Sequence, residues 1–280
     1  MPSQHRCARA VIEYDGTAFA GSQVQPTGRT VAGVLEEALN RLTGEEVRIR
    51  LAGRTDAGVH ATGQVIAFCL PRRRGGEQVA WPELRRRLNA VLPPDLAVRS
   101  LRAASTGFDP RRDAVLRVYR YRIRHDGARA PLDRHRTLEI DDRLDVAAMQ
   151  AAASRFPGHR DFAALGSDRR GRTVRHLVEV AVIRRGDLVE VRVTANAFLR
   201  RMVRSIVAIL LEAGRGRLTV DGVDELLAGG ERALHGRAAP PRGLTLERVV
   251  YQPKTQNQLA GHDGSRPGAH APQTGDREES

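Results

Sequence analysis

Lysine is almost missing from this chain. Lys254 is the only one among the 46 Lys plus Arg in 280 residues, so the cations are arginines. Against 33 Asp plus Glu they leave a formal charge of +13. Arginine grips phosphates with paired N–H donors and stacks on bases, so the excess points to a polyanion. A GC-rich coding sequence would also replace lysine by arginine throughout, and the charge alone does not separate the two readings. Cysteine is scarce too. Cys7 and Cys69 lie far apart with no CxxC, which argues against a disulfide scaffold and a cysteine-rich zinc site.

Long apolar runs are also lacking. The longest, such as Ile206 to Leu211, fall far short of the ~18 residues that span a bilayer. The amino-terminal stretch shows no apolar core of a signal peptide, so a cytoplasmic location is expected. There is no P-loop, GxGxxG, GxSxG or DxDxT-type aspartyl nucleophile. His60 has no second His, Cys or carboxylate at ligand spacing, and no metal is expected. What is present suffices for a fold: with 41% apolar residues the chain can bury a substantial core, in one large domain or two smaller ones.

The order of elements predicts an α+β protein of two ferredoxin-like (β-α-β-β-α-β) halves. In residues 1–105, strands fall at 8–14, 47–51, 64–70 and 96–101, and helices at 31–42 and 81–92. Thr30 fits a helix N-cap and Gly44 a stop. In residues 106–252, strands fall at 116–124, 174–184, 188–195 and 246–251. Helices fall at 145–156 and 198–213, with short insertions around Asp161 and at 220–227. Residues 253–280 are rich in Gly, Pro, Gln, His and Ser, with Leu259 as their only large aliphatic, and read as a disordered tail.

Three stretches look chemical. The first is AGRTDAGVHATGQV, Ala52 to Val65, a long connection between two strands with Gly53, Gly58 and Gly63 five residues apart. Asp56 within it is a candidate nucleophile or base, provided that a cation holds it as a carboxylate. A solvated loop in which Arg54 and Asp56 merely pair would read the same way. The second is LRVYRYRIR, Leu116 to Arg124, whose alternation puts Arg117, Tyr119, Tyr121 and Ile123 on one face. Arg120, Arg122 and Arg124 lie on the other, suited to phosphate contact, or simply to solvent. The third is NAFLRRMVR, Asn196 to Arg204, read as the opening of a helix with Phe198 and Met202 in the core. Arg201 and Arg204 would share a face there, with Arg204 awaiting a carboxylate from another segment.

Together these residues resemble the bacterial tRNA pseudouridine synthase A family, from about Arg9 to Tyr251. AGRTDAGVHATGQV is the most specific match. It is joined by YDGTAFAGSQ at Tyr14, TVAGVLEEAL at Thr30, LNAVLPPDLAV at Leu88, YRYRI at Tyr119, NAFLRRMVRSIV at Asn196 and GLTL at Gly243. The resemblance implies an isomerase that turns uridine into pseudouridine at positions 38, 39 and 40 of the tRNA anticodon stem-loop, without cofactor. Asp56 resembles the family's catalytic aspartate, Arg204 its paired arginine, and Tyr119 the tyrosine that stacks on uracil. Leu244 resembles the apolar residue on the base's other side, and Arg54 an RNA contact. The family also implies a homodimer that binds tRNA across both subunits. A silent or retargeted RNA-binding paralogue of the same fold is the alternative.

The sequence departs from the family pattern at several positions. Ser22 stands where many members have Trp, and Ala32 where many have Gln. Asp109 and Gly166 replace residues of motifs that usually read Phe-His-Ala-Arg and end Phe-Arg. Arg169, Arg170 and Arg172 could compensate for an arginine missing near Gly166. These departures touch tRNA docking rather than the five site residues.

Overall fold

The computed structural model describes residues 5–71, 78–125, 127, 129–168, 170–229 and 238–252. The tail at 253–280 and Arg169 lie outside the described residues.

The fold is α+β, built on one ten-stranded mixed sheet. The first strands are β1 (His5–Tyr14), β2 (Arg50–Leu51), β3 (His60–Pro71) and β4 (Leu96–Ala104). Then come β5 (Ala114–His125), β6 (Leu138–Ile140), β7 (Gly158–Asp161), β8 (Val174–Arg185), β9 (Leu188–Ala195) and β10 (Leu244–Tyr251). The path across the sheet is β4-β1-β3-β10-β5-β9-β8-β7, with β2 beside β3 and β6 beside β5. The run β4-β1-β3 and β2 has the antiparallel order of a ferredoxin-like unit, and β10-β5-β9-β8 repeats it. The two runs meet where β10 lies parallel to the start of β3, with Thr245 opposite His60.

The helices are α1 (Val31–Thr43), α2 (Trp81–Val91), α3 (Val146–Ala153), α4 (Met202–Gly214) and α5 (Val220–Ala228). α1 starts where the sequence signals it: the Thr30 hydroxyl accepts from the Gly33 N–H at 3.2 Å. It stops at Gly44, whose φ of 71° only glycine adopts without strain. Leu35, Leu39, Leu84 and Leu88 from α1 and α2, and Met149, Ile206 and Leu210 from α3 and α4, share one core with the buried sheet residues.

Three expectations need correction. The strand expected at 47–51 shrinks to Arg50–Leu51, because α1 side chains take its backbone donors: Asn40 Oδ1 accepts from Val47 N and Glu36 Oε1 from Ile49 N. The helix expected from Phe198 begins at Met202. Arg200 is held extended by a bridge to Ser167, and Arg201 turns the chain into the helix with a left-handed φ of 66°. Arg201 and Arg204 therefore do not share a helix face. The cysteines, distant in sequence, are opposite each other in the β1–β3 register and form a disulfide. The insertions around Asp161 and at 220–227 become β7 and α5, and no local pattern signals β6.

Candidate active site

The loop from Ala52 to Val59 is braced at its backbone, leaving one acidic side chain to face outward. At its root the Ala52 N–H donates to the Val65 carbonyl at 2.8 Å, and Gln64 Nε2 donates to the Gly53 carbonyl at 2.8 Å. Ser22, fully buried, grips Thr55 twice. Its Oγ accepts from the Thr55 N–H at 2.8 Å and its N–H donates to the Thr55 carbonyl at 3.1 Å. The Thr55 and Tyr14 hydroxyls are 2.8 Å apart, and burial pushes the Tyr14 phenol up to about 12 despite that bond. Of the three evenly spaced glycines, Gly58 adopts φ 76° against the Pro241 ring, and a Cβ at Gly63 would run into the Glu247 carbonyl of β10. Gly53 has no such constraint.

Asp56 emerges between the buried Thr55 and Val59. Arg204, in the first turn of α4, donates from Nη1 to Asp56 Oδ2 at 3.0 Å. The Arg204 and Asp56 side chains are 15% and 32% exposed, so solvent screens the pair only in part. The expected partnership of Arg204 with a carboxylate from another segment is met by Asp56. The arginine also holds the backbone beside it. Its Nε donates to the Ala239 carbonyl at 2.6 Å, and the Ala239 N–H returns a bond to the Arg204 carbonyl at 3.0 Å.

Tyr119 is buried on β5, with its ring edge-on to Phe198 at 5.1 Å between centroids. Burial pushes its phenol far above the ordinary tyrosine value, and the nearby Tyr14 and Asp56 push the same way. The Tyr119 phenol is thus held in its neutral form. Leu244 opens β10 opposite Tyr121, two residues from the Leu246 that faces Tyr119, and is itself buried. Arg54 is exposed on the same loop as Asp56. The five predicted residues thus come from four elements, with Asp56 and Arg204 in direct contact.

The cationic face of β5 is a different matter. Arg120 pairs with Glu190 at 3.4 Å and Glu247 at 3.1 Å, and Arg122 with Glu190 at 3.3 Å. Arg124 pairs with Asp187 and with Asp133. These arginines are consumed within the sheet rather than held out for phosphates. Arg117, on the buried face, has carbonyls as partners instead. It donates to Ala52 at 3.2 Å, Arg111 at 2.6 Å, Ala114 at 3.2 Å and Asn196, and burial lowers its pKa. It fastens the root of the Asp56 loop to the turn before α4.

Sequence reasoning missed Ser22 as a brace, Phe198 as the partner of Tyr119, and the Ala239 carbonyl. Only Phe198 carried a signal, by standing in NAFLRR. The departures have local accounts: a side chain at Gly166 would meet the Arg200 carbonyl, and Asp109 accepts from the N–H groups of Arg111 and Arg112 while facing Arg50. Among the described residues no group of three or more His, Cys, Asp or Glu is placed to hold a metal ion. No helix among them is long and apolar enough to cross a membrane.

Comparison with known proteins gives the family. The profile of a family described as tRNA pseudouridine synthase matches residues 10–111 and 152–252, taking in β3, α4 and β10. A tRNA pseudouridine synthase A of Chloroflexus aurantiacus is 48% identical over 259 residues, covering 89% of this chain and 90% of the relative. Those of Geotalea daltonii and Myxococcus xanthus are 40% and 42% identical, covering 88% and 87% of this chain and 100% and 91% of their own. Matched along both runs of the sheet and over nearly the whole of each relative, the chain belongs to the tRNA pseudouridine synthase family.

Proposed function

We propose that the protein isomerises uridine to pseudouridine in tRNA, at positions 38, 39 and 40 of the anticodon stem-loop. The observation that carries the proposal is the Asp56–Arg204 pair at 3.0 Å, in a chain whose neighbouring strands β5 and β10 carry the buried Tyr119 and Leu244. In this reading the target uridine leaves its stack and its base lies between Tyr119 and Leu244. Asp56, paired with Arg204, is the nucleophile or base that lets the N-glycosidic bond break. The uracil turns, C5 bonds to the ribose carbon, and the proton from C5 moves to nitrogen. Every atom of the substrate is retained, so the reaction consumes no second substrate.

Arg120, Arg122 and Arg124 are paired with carboxylates, and the reading assigns phosphate contacts to more exposed arginines. This reading gives them to Arg54, exposed on the loop, and to Arg200 and Arg201, exposed before α4. The reading includes a homodimer that spreads the tRNA contact over two subunits, working in the cytoplasm where its substrate resides. A silent paralogue would have no use for an aspartate held by a dedicated arginine. The test is to incubate the protein with unmodified tRNA transcripts and map pseudouridine by chemical labelling. Label at 38, 39 or 40 supports the proposal, label elsewhere would show a retargeted enzyme, and none would sink it.

A further inference from the structure

His60 has no part in the chemistry assigned to Asp56, yet it is 4% exposed and opens β3 four positions after that aspartate. Its ring joins three segments. Nδ1 faces the Gly16 N–H at 3.0 Å, with Asp15 Oδ1 at 3.2 Å. Nε2 lies 3.0 Å from the Arg242 carbonyl. A carbonyl can only accept, so Nε2 carries a hydrogen and donates it whichever form the ring takes.

That carbonyl is one of three held along residues 239–242. Arg204 Nε donates to Ala239 at 2.6 Å, the Tyr121 hydroxyl to Pro240 at 2.8 Å, and His60 to Arg242. Pro240 and Pro241 bring no backbone N–H of their own, so this strap depends on donors from α4, β5 and β3. Its single turn, Pro241–Gly243, leads straight into Leu244. It also presses on the catalytic loop, since a Cβ at Gly58 would come within 3.0 Å of the Pro241 ring.

We propose that His60 is a positioning residue of the uridine site. By gripping the Arg242 carbonyl it locks the strap onto the loop that carries Asp56. The strap in turn sets Leu244 against the base and the Ala239 carbonyl against Arg204. This role rests on the isomerase reading. Misplacing the strap changes the geometry in which the base reacts, a loss felt in turnover, while the tRNA backbone is gripped elsewhere.

Two variants divide the ring's contacts. His60→Gln carries an amide N–H to the place of Nε2 and keeps the bond to Arg242. His60→Asn carries its amide only to the place of Nδ1 and keeps the contact with Gly16. Single-turnover rates on a tRNA transcript, tRNA affinity and thermal midpoints are measured for both beside the unmodified protein. His60→Gln is expected to retain its rate within about threefold, while His60→Asn falls roughly thirtyfold to a hundredfold. Both should bind tRNA as before and share a similar drop in thermal midpoint. Equal rates for the two variants, or rates that simply follow thermal stability, would reduce His60 to packing and overturn the proposal. An unmodified protein with no turnover would count against the isomerase reading itself, and His60's role would fall with it.

Discussion

The Arg204 guanidinium holds Asp56 at 3.0 Å with one nitrogen and the Ala239 carbonyl at 2.6 Å with another. One side chain thereby fixes both the carboxylate and the backbone at Ala239. Replacing it with alanine frees both, and turnover should fall about a hundredfold to a thousandfold. Arg204→Lys keeps a charge but, as a point donor, cannot serve both partners with one planar fork. Its rate should lie between those of the alanine variant and the unmodified protein. Normal turnover of bound tRNA in Arg204→Ala would remove the ion pair from the chemistry.

Arginine count and arginine function separate here. Exchanging Arg200 and Arg201 together for alanine should weaken tRNA binding and lower the slope of log affinity against log salt by about 1 to 2. Arg122→Ala should leave that slope alone and lower the thermal midpoint, because Glu190, only 8% exposed, loses a cation. Titrating binding at several salt concentrations checks both. A slope that shifts with Arg122 instead would put the sheet face on the RNA.

All four tyrosines, Tyr14, Tyr119, Tyr121 and Tyr251, have phenols raised by burial. A phenol whose folded value exceeds its unfolded one supports the fold fully below the unfolded value of 10.0. For Tyr14 that support drains away as pH rises through 10.0 toward about 12. Phenolate absorbance should therefore stay silent near pH 10 and appear in one cooperative step as the protein unfolds. A gradual titration near 10, with the fold intact, would contradict the burial of these rings.

Much of this was legible in the sequence. Thr30 and Gly44 bounded α1 because capping is local chemistry. The β5 alternation separated buried tyrosines from arginines because strand period is local too. The Asp56 loop stood out by its glycines, and its meaning came from family resemblance rather than from spacing. What stayed hidden depends on partners distant in sequence. Nothing near Val47 says that Asn40 and Glu36 take the donors of 47 and 49. Nothing near Arg122 announces Glu190, and nothing in Cys7 announces Cys69 across the ladder. Arg201 was misplaced because a left-handed non-glycine residue breaks the periodicity that a helix reading extends.

The proposed function divides chemistry and binding between two kinds of residue, giving the first to the Asp56 carboxylate and the second to the exposed arginines. Asp56→Asn removes the charge with little change of shape. Pseudouridine formation on tRNA transcripts and tRNA affinity should be measured side by side for this variant and the unmodified protein. Formation is predicted to fall by about a thousandfold or more, with affinity held within a few-fold. Retained turnover in Asp56→Asn, or loss of turnover only in step with loss of binding, would contradict that division.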